Sequence, residues 1–185
     1  MASTNTVART LHDVGLAAWF GGSLMGAVGV NGAAAEAESP SERSKIANAG
    51  WARWTPVNLA AIAAHVTGGV LLTTGNKGRM AAQAGVGQTS AVKTVLTGAA
   101  LVATGYSRIL GQKVMNAGTP PVQGATEPGP ATPDDVAGAQ RQLKALQWAI
   151  PALTGALLVV NARMGEQQRP QSVVSGVLHR LNPAA

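Results

Sequence analysis

Few side chains in this sequence could bind a metal or move a proton: it has three histidines, eight carboxylates and no cysteine. The missing thiol excludes disulfides, thiolate zinc sites, iron–sulfur clusters and a cysteine nucleophile. His12 and His65 stand out because they lie in otherwise apolar runs. An ionisable group inside such a run is a functional candidate by default, and an imidazole there could ligate copper or haem iron or relay a proton.

His12 and Asp13 are adjacent in "LHDVGLAAWFGG", so on a helix they point about 100° apart and cannot act on one face. Asp13 follows Arg9 at i,i+4 spacing, which reads as a helix-surface ion pair. His12 shares its face with Leu16 and Trp19. It lies three residues after Arg9, about 5 Å into the run, whereas His65 lies twelve residues before Lys77, about 18 Å in. A mismatch of roughly 13 Å argues against the two histidines sharing one ion. The spacing instead predicts a lone buried His65 bonded to a hydroxyl such as Thr97, Thr104 or Thr154. Arg108 completes the candidate polar set because it closes the shortest apolar run. Other catalytic motifs are missing: "GVGQTS" at 85–90 lacks the lysine of a phosphate loop, and the paired carboxylates Asp134 and Asp135 fall in a loop.

The elements that would carry these residues are set by gaps between charges. Val14–Ala35 and Trp54–Asn76 are free of Asp, Glu, Lys and Arg over 22 and 23 residues, enough to cross roughly 30 Å of hydrocarbon at about 1.5 Å per residue. Thr94–Ser107 and Ala145–Ala162 are shorter, and the first spans only if Lys93 and Arg108 snorkel. Spans are thus expected at about 10–33, 54–76, 90–110 and 143–163. Charged residues make up 12% and aromatics 3% of the chain, too few large side chains for an ordinary soluble core but suited to helices that approach closely through Gly and Ala. Ala18, Gly22 and Gly26, with neighbouring Gly21, and Ala64 with Gly68, predict packing faces. The basic balance of +6 consists of scattered residues, which read as membrane flanks rather than a nucleic-acid surface.

Ser39-Pro40-Ser41-Glu42 has the pattern of a capping box opening a short helix. Residues 116–132, rich in Pro and Gly, read as an extended, flexible loop. Thr132-Pro133-Asp134-Asp135 then reads as a cap with two acids at a helix start. Pro151, inside the last span, frees the carbonyl of Gln147 and predicts a kink. The tail 164–185 places Val173, Val174, Val177, Leu178 and Leu181 on one face beside His179 and Arg180, an interfacial-helix pattern.

Orientation is finely balanced. An N-terminus inside would put Arg9, Lys77, Arg79, Lys93, Arg163, Arg169 and Arg180 inside and Arg43, Lys45, Arg53, Arg108, Lys113, Arg141 and Lys144 outside, and the compact inner loop favours N-in, C-in. That arrangement brings Trp51, Trp54, Trp148 and Tyr106 to one interface, as an aromatic belt would. Ala33-Ala34-Ala35 also fits a signal-cleavage pattern, but one Arg and the His12-Asp13 interruption make a poor leader.

His12, Trp19, Gly21 and Gly22 form His-x6-Trp-x-Gly-Gly, which resembles the first-helix motif of copper-resistance D (CopD)-like membrane proteins; the remainder is similar to uncharacterised four-span bacterial proteins. The resemblance implies a four-helix membrane bundle and a copper link. Met25, Met80, Met115 and Met164 form no cluster to support copper. The expectation is therefore an all-α, four-helix up-down bundle of the bacterial inner membrane with a Pro-rich loop before the last helix. Its expected role is non-enzymatic, as an accessory or interaction component without cofactor or metal. Its partners would be the lipid bilayer and other membrane subunits, with no nucleic acid, and either a monomer or a homo-oligomer is compatible. The alternatives are a small transport or metal-handling (copper or haem) membrane protein using His12 and His65, and a soluble helical protein.

Overall fold

A computed structural model describes residues 2–75, 77–78, 85–167 and 169–181. Arg79, Met80 and the side chains of His179, Arg180 and Leu181, which entered the charge, methionine and tail readings, lie outside the described residues. The described chain is helical apart from connecting segments. The elements are α1 (Ala2–Met25), a π-helical turn (Gly26–Val30), α2 (Asn31–Ala35), α3 (Pro40–Gly75), α4 (Val86–Asn116), α5 (Asp134–Glu166) and α6 (Pro170–Leu181). Three stretches are long and apolar enough to cross a membrane: Thr6–Ala35, Pro40–Gly75 and Asp134–Glu166. The fourth long helix, α4, spans about 46 Å at 1.5 Å per residue but carries Lys93, Arg108 and Lys113 and falls outside that set.

Close packing tracks the small residues. α1 runs antiparallel to α3: Gly15 meets the backbone of Ala61 and His65, Gly68 meets that of Ala8 and His12, and the rings of Trp54 and Trp51 lie over Gly22 and Gly26. α1 also packs on α5, and α5 on α4, whereas α3 and α4 approach each other little. Leu16, Trp19, Ala100, Ile150 and Leu157 form the central core. A second cluster, Leu110, Val114, Val136 and Ala139, joins α4 to α5. Outward faces are apolar, with Val14, Val57, Leu59, Val95, Val102 and Val159 among the exposed side chains.

The structure corrects several expectations. Ser39 and Glu42 do form a capping box, Ser39 Oγ accepting from Glu42 N–H at 3.2 Å and Glu42 Oε2 from Ser39 N–H at 3.4 Å. However, the helix it opens is not short: it continues through Pro56 to Gly75. The 116–132 segment is not extended. α4 ends at Asn116, and two residues on Gly118 has a φ of +78°, which suits glycine, and an N–H that bonds Met115 O at 3.0 Å. The chain then folds back, Gln123 N–H donating to Glu127 O at 2.9 Å. Ser44 Oγ ties Pro120 O at 2.6 Å, and Gln140 Nε2 reaches the carbonyls of Gly124 and Ala125. Thr132 serves this loop, accepting from Gly129 N–H and donating to Pro121 O. It therefore leaves the α5 N-terminus without a side-chain cap.

Candidate functional site

The site is built where α1 crosses α3. The same four-residue pattern occurs in both helices: His12-Asp13-Val14-Gly15 and His65-Val66-Thr67-Gly68. A histidine and a glycine three residues apart share a helix face. Because the helices are antiparallel, each glycine opens the space in which the other helix's histidine segment sits. An ideal Cβ on Gly15 would lie 2.4 Å from Ala61 O and 2.6 Å from His65 N. One on Gly68 would lie 2.4 Å from Ala8 O and 2.5 Å from His12 N. Only the missing side chains allow this backbone approach.

The approach brings each ring to the other helix's main chain. His12 Nδ1 is 2.7 Å from His65 O, and His65 Nδ1 is 2.9 Å from His12 O. A carbonyl can only accept, so both Nδ1 atoms carry the proton and donate. The rings stack with centroids 4.0 Å apart and planes inclined by 19°, and Trp19 meets His65 edge-on at 6.1 Å. Gly69 lies against the His12 ring, where a Cβ would come within 3.2 Å. Both histidines are buried, and both Nε2 atoms lack a hydrogen-bond partner among the described residues.

This pairing overturns the depth mismatch between the two histidines and the lone His65 bonded to a threonine. Depth was measured from the nearest charge, on the premise that Arg9 and Lys77 stand level. They do not: Arg9 neighbours Ala8 and His12, which face Gly68, so α3 continues well past the level of Arg9. Of the three threonines, Thr104 accepts instead from Trp19 Nε1 at 3.2 Å, and Thr154 bonds its own helix at Ile150 O.

Around the histidines lies a polar set drawn from three helices. Asp13 Oδ1 accepts from Asn161 Nδ2 of α5 at 3.4 Å, a tertiary contact beyond the local Arg9 spacing. Asn161 also stands beside the His12 ring, short of a hydrogen bond at Nε2. The half-buried Lys93 of α4 acts electrostatically on both imidazoles, on Asp13 and on Arg9. Sequence reasoning placed Lys93 only as a membrane flank and missed Asn161 and Gly15; the repeated His-x-x-Gly was the available signal.

Stacking limits what the imidazoles can do together. Two in-plane lone pairs converge on one ion only where the ring planes meet, about 12 Å away for rings 4.0 Å apart and tilted by 19°, against ~2.0–2.1 Å for a metal–imidazole bond. Among the described residues no group of three or more His, Asp or Glu is placed to hold a metal.

The other sequence candidates scatter. Arg108 does not end its helix, which runs on to Asn116; its guanidinium bonds Gln112 Oε1 at 2.8 Å. Ala18 and Ala64 are half-buried, whereas Gly21 faces open space with nothing within 4 Å and is no packing residue. Trp51 and Trp54 turn inward onto glycines rather than outward, while Trp148 and Tyr106 are exposed, the Tyr106 hydroxyl bonding Gln142.

At the opposite end of the first helix, the π turn has its Asn31 N–H on Gly26 O, five residues back. A π turn shifts the register of the helix beyond it, and such turns recur at functional positions. Here Asn31 is buried, accepting from Trp51 Nε1 at 2.8 Å and donating to Gln147 Oε1 at 2.7 Å. One side chain thereby joins α3 and α5 to the first helix. No protein-family model, no curated protein and no solved structure matches this chain.

Proposed function

We propose that the chain is a four-span, up-down helical bundle of the bacterial inner membrane, N-in and C-in, acting as a non-enzymatic structural or accessory subunit of a membrane complex. The observation that carries this reading is the reciprocal histidine clasp. The most deeply placed imidazoles use their N–H groups on main-chain carbonyls and their faces on each other, an arrangement that fixes helix positions rather than presenting a reactive group. The membrane assignment is supported by three helices of spanning length and by how little of them the fold buries; in α3 only 11% of the apolar window is covered. In water such faces would be an aggregation liability, and in lipid they meet their own kind. α4 joins as a fourth span through its length and its packing on α5, with Lys93 and Arg108 reaching toward the two interfaces.

The reading is tested by fractionation and composition. The chain should stay in membranes washed with alkaline carbonate and require detergent for release; recovery in the detergent-free soluble fraction would overturn the membrane assignment. Detergent-purified protein should carry no stoichiometric chromophore or metal and show no turnover.

A metal-handling role is a second reading with one observation in its favour, the two buried Nε2 atoms without partners. It requires the rings to unstack. It predicts copper or haem at one equivalent, lost in both His12→Ala and His65→Ala. The same metal content in both variants as in the parent would sink it.

A further inference from the structure

The amide of Asn161 stands between an anion and a lone pair. Its Nδ2 donates to Asp13 Oδ1 at 3.4 Å, which leaves its Oδ1 to the His12 ring beside it. That Oδ1 is buried without a donor, and His12 Nε2 is buried without a partner too. The proton of a neutral His12 is already spent at Nδ1 on His65 O, so Nε2 offers only a lone pair. Two acceptors thus face each other. Turning the amide over does not relieve this: Nδ2 would then serve Nε2, but Oδ1 would meet the Asp13 carboxylate, again acceptor against acceptor. In either orientation the trio of Asp13, Asn161 and His12 leaves acceptors bare, which is costly where they are buried. Both His12 Nε2 and Asn161 Oδ1 are closed even to a water molecule. A proton needs no such room.

We propose that His12 and Asn161 bind one proton where α1 meets α5, seated on His12 Nε2 and held by an N–H···O bond to Asn161 Oδ1. The imidazolium is then a donor at both nitrogens. It completes a file of hydrogen bonds from Asp13 through the Asn161 amide and the His12 ring to His65 O, joining α1, α5 and α3. The proton comes from the inner aqueous phase, where Asp13 is exposed; that direction rests on the membrane reading above. The surroundings limit the site to one proton. The charged groups around the rings are Asp13 and Arg9 on α1 and Lys93 on α4, while α5 presents the neutral amide and α3 presents His65. A second proton, on His65, would set two imidazolium rings face to face at 4.0 Å, beside two cations and a single carboxylate. Like charges that close oppose joint ionisation. Among the described residues no amide oxygen is placed on the His65 ring as Asn161 is on His12, so His12 takes the proton.

The test follows the ring nitrogens by NMR in the full chain, labelled at histidine, purified in detergent and returned to lipid bilayers. The pH is taken from about 8 to about 3, a range that brackets the ordinary imidazole titration. Signals are assigned by their loss in His12→Ala and His65→Ala. On acidification His12 Nε2 should change from a lone-pair to a protonated nitrogen before His65 Nε2 does, with both Nδ1 atoms protonated throughout. Asn161→Leu removes the acceptor, and half-protonation of His12 should then need at least about tenfold more acid, the scale of one hydrogen bond to a charged group. Asp13→Asn, at an exposed position, frees the amide to donate to Nε2 and should shift His12 the same way. If Asn161→Leu fails to fold, Asp13→Asn and the order of the two histidines in the parent decide. His65 protonating first, a His12 that stays neutral throughout, or a His12 that needs no more acid in the variants than in the parent would each overturn the proposal. None of these outcomes touches the membrane assignment, which the carbonate wash decides by itself.

Discussion

Replacing Gly15 by alanine adds one methyl group at the point where α1 and α3 touch. That methyl would sit 2.4 Å from Ala61 O and 2.6 Å from His65 N. Both are backbone atoms of a helix, so neither can swing aside. An ordinary carbon–oxygen contact is ~3.3–3.6 Å, so the helices must part by roughly 1 Å. The reciprocal bonds, now 2.7 and 2.9 Å, would then stretch to about 3.7–3.9 Å, beyond the ~3.2 Å limit of an N–H···O bond. Two lost bonds at about 0.5–1.5 kcal/mol each, with overpacking at about 1–3 kcal/mol, give a loss of about 2–6 kcal/mol. The helix preference for Ala over Gly returns about 1 kcal/mol, leaving a net loss of about 1–5 kcal/mol. Gly21→Ala is the control: its methyl meets nothing within 4 Å, so only the helix preference acts and stability should hold or rise. The assay is unfolding in mixed micelles of dodecyl maltoside and increasing SDS, monitored by far-UV circular dichroism. Gly68→Ala should fall with Gly15→Ala, and the double variant should fall by less than the sum, because the helices separate only once. If Gly15→Ala unfolds at the same SDS fraction as Gly21→Ala, the close-approach argument is refuted.

Named contacts set three further outcomes. His12→Ala and His65→Ala should each lower stability by about 1–3 kcal/mol, through the lost bond and the carbonyl left bare. A double-mutant cycle should return a coupling of at least about 0.5 kcal/mol, since the rings stack; additive losses would mean that the bonds act independently. Asn31→Leu removes both the acceptor of Trp51 and the donor to Gln147, and should loosen the π-turn end of the bundle by about 1–3 kcal/mol, with increased quenching of tryptophan emission by acrylamide. Ser39→Ala should lower stability by ~1 kcal/mol and speed amide hydrogen exchange in the first turn of α3 without altering exchange at the His12–His65 crossing.

Much of the architecture was legible in the residues. Charge-free runs located three apolar helices, because excluding charge from one continuous stretch is a local property that lipid or a core demands at every position. The capping box at Ser39–Glu42 was equally local, both of its bonds closing within four residues. Gly22, Gly26 and Gly68 were recognisable as contact residues from spacing alone, although Gly21 has the same chemistry and points elsewhere. What failed was inference across helices. Depth reckoned from flanking charges separated His12 from His65 because α1 and α3 differ in length and offset. The 116–132 segment looked extended because its proline content hid the anchors, Ser44 and Gln140, which come from other elements.

The sequence by itself determined which segments are helical, which of their residues are small, and that two His-x-x-Gly patterns exist, since backbone preference and side-chain volume belong to residues singly. Only the tertiary structure decided that the two patterns meet. It set the axial offset of two antiparallel helices and the register shift of the π turn that carries Asn31 inward. It also left α3 and α4 apart. These depend on how whole surfaces fit, a quantity carried by no single residue or spacing, and they turn two isolated histidines into one clasp.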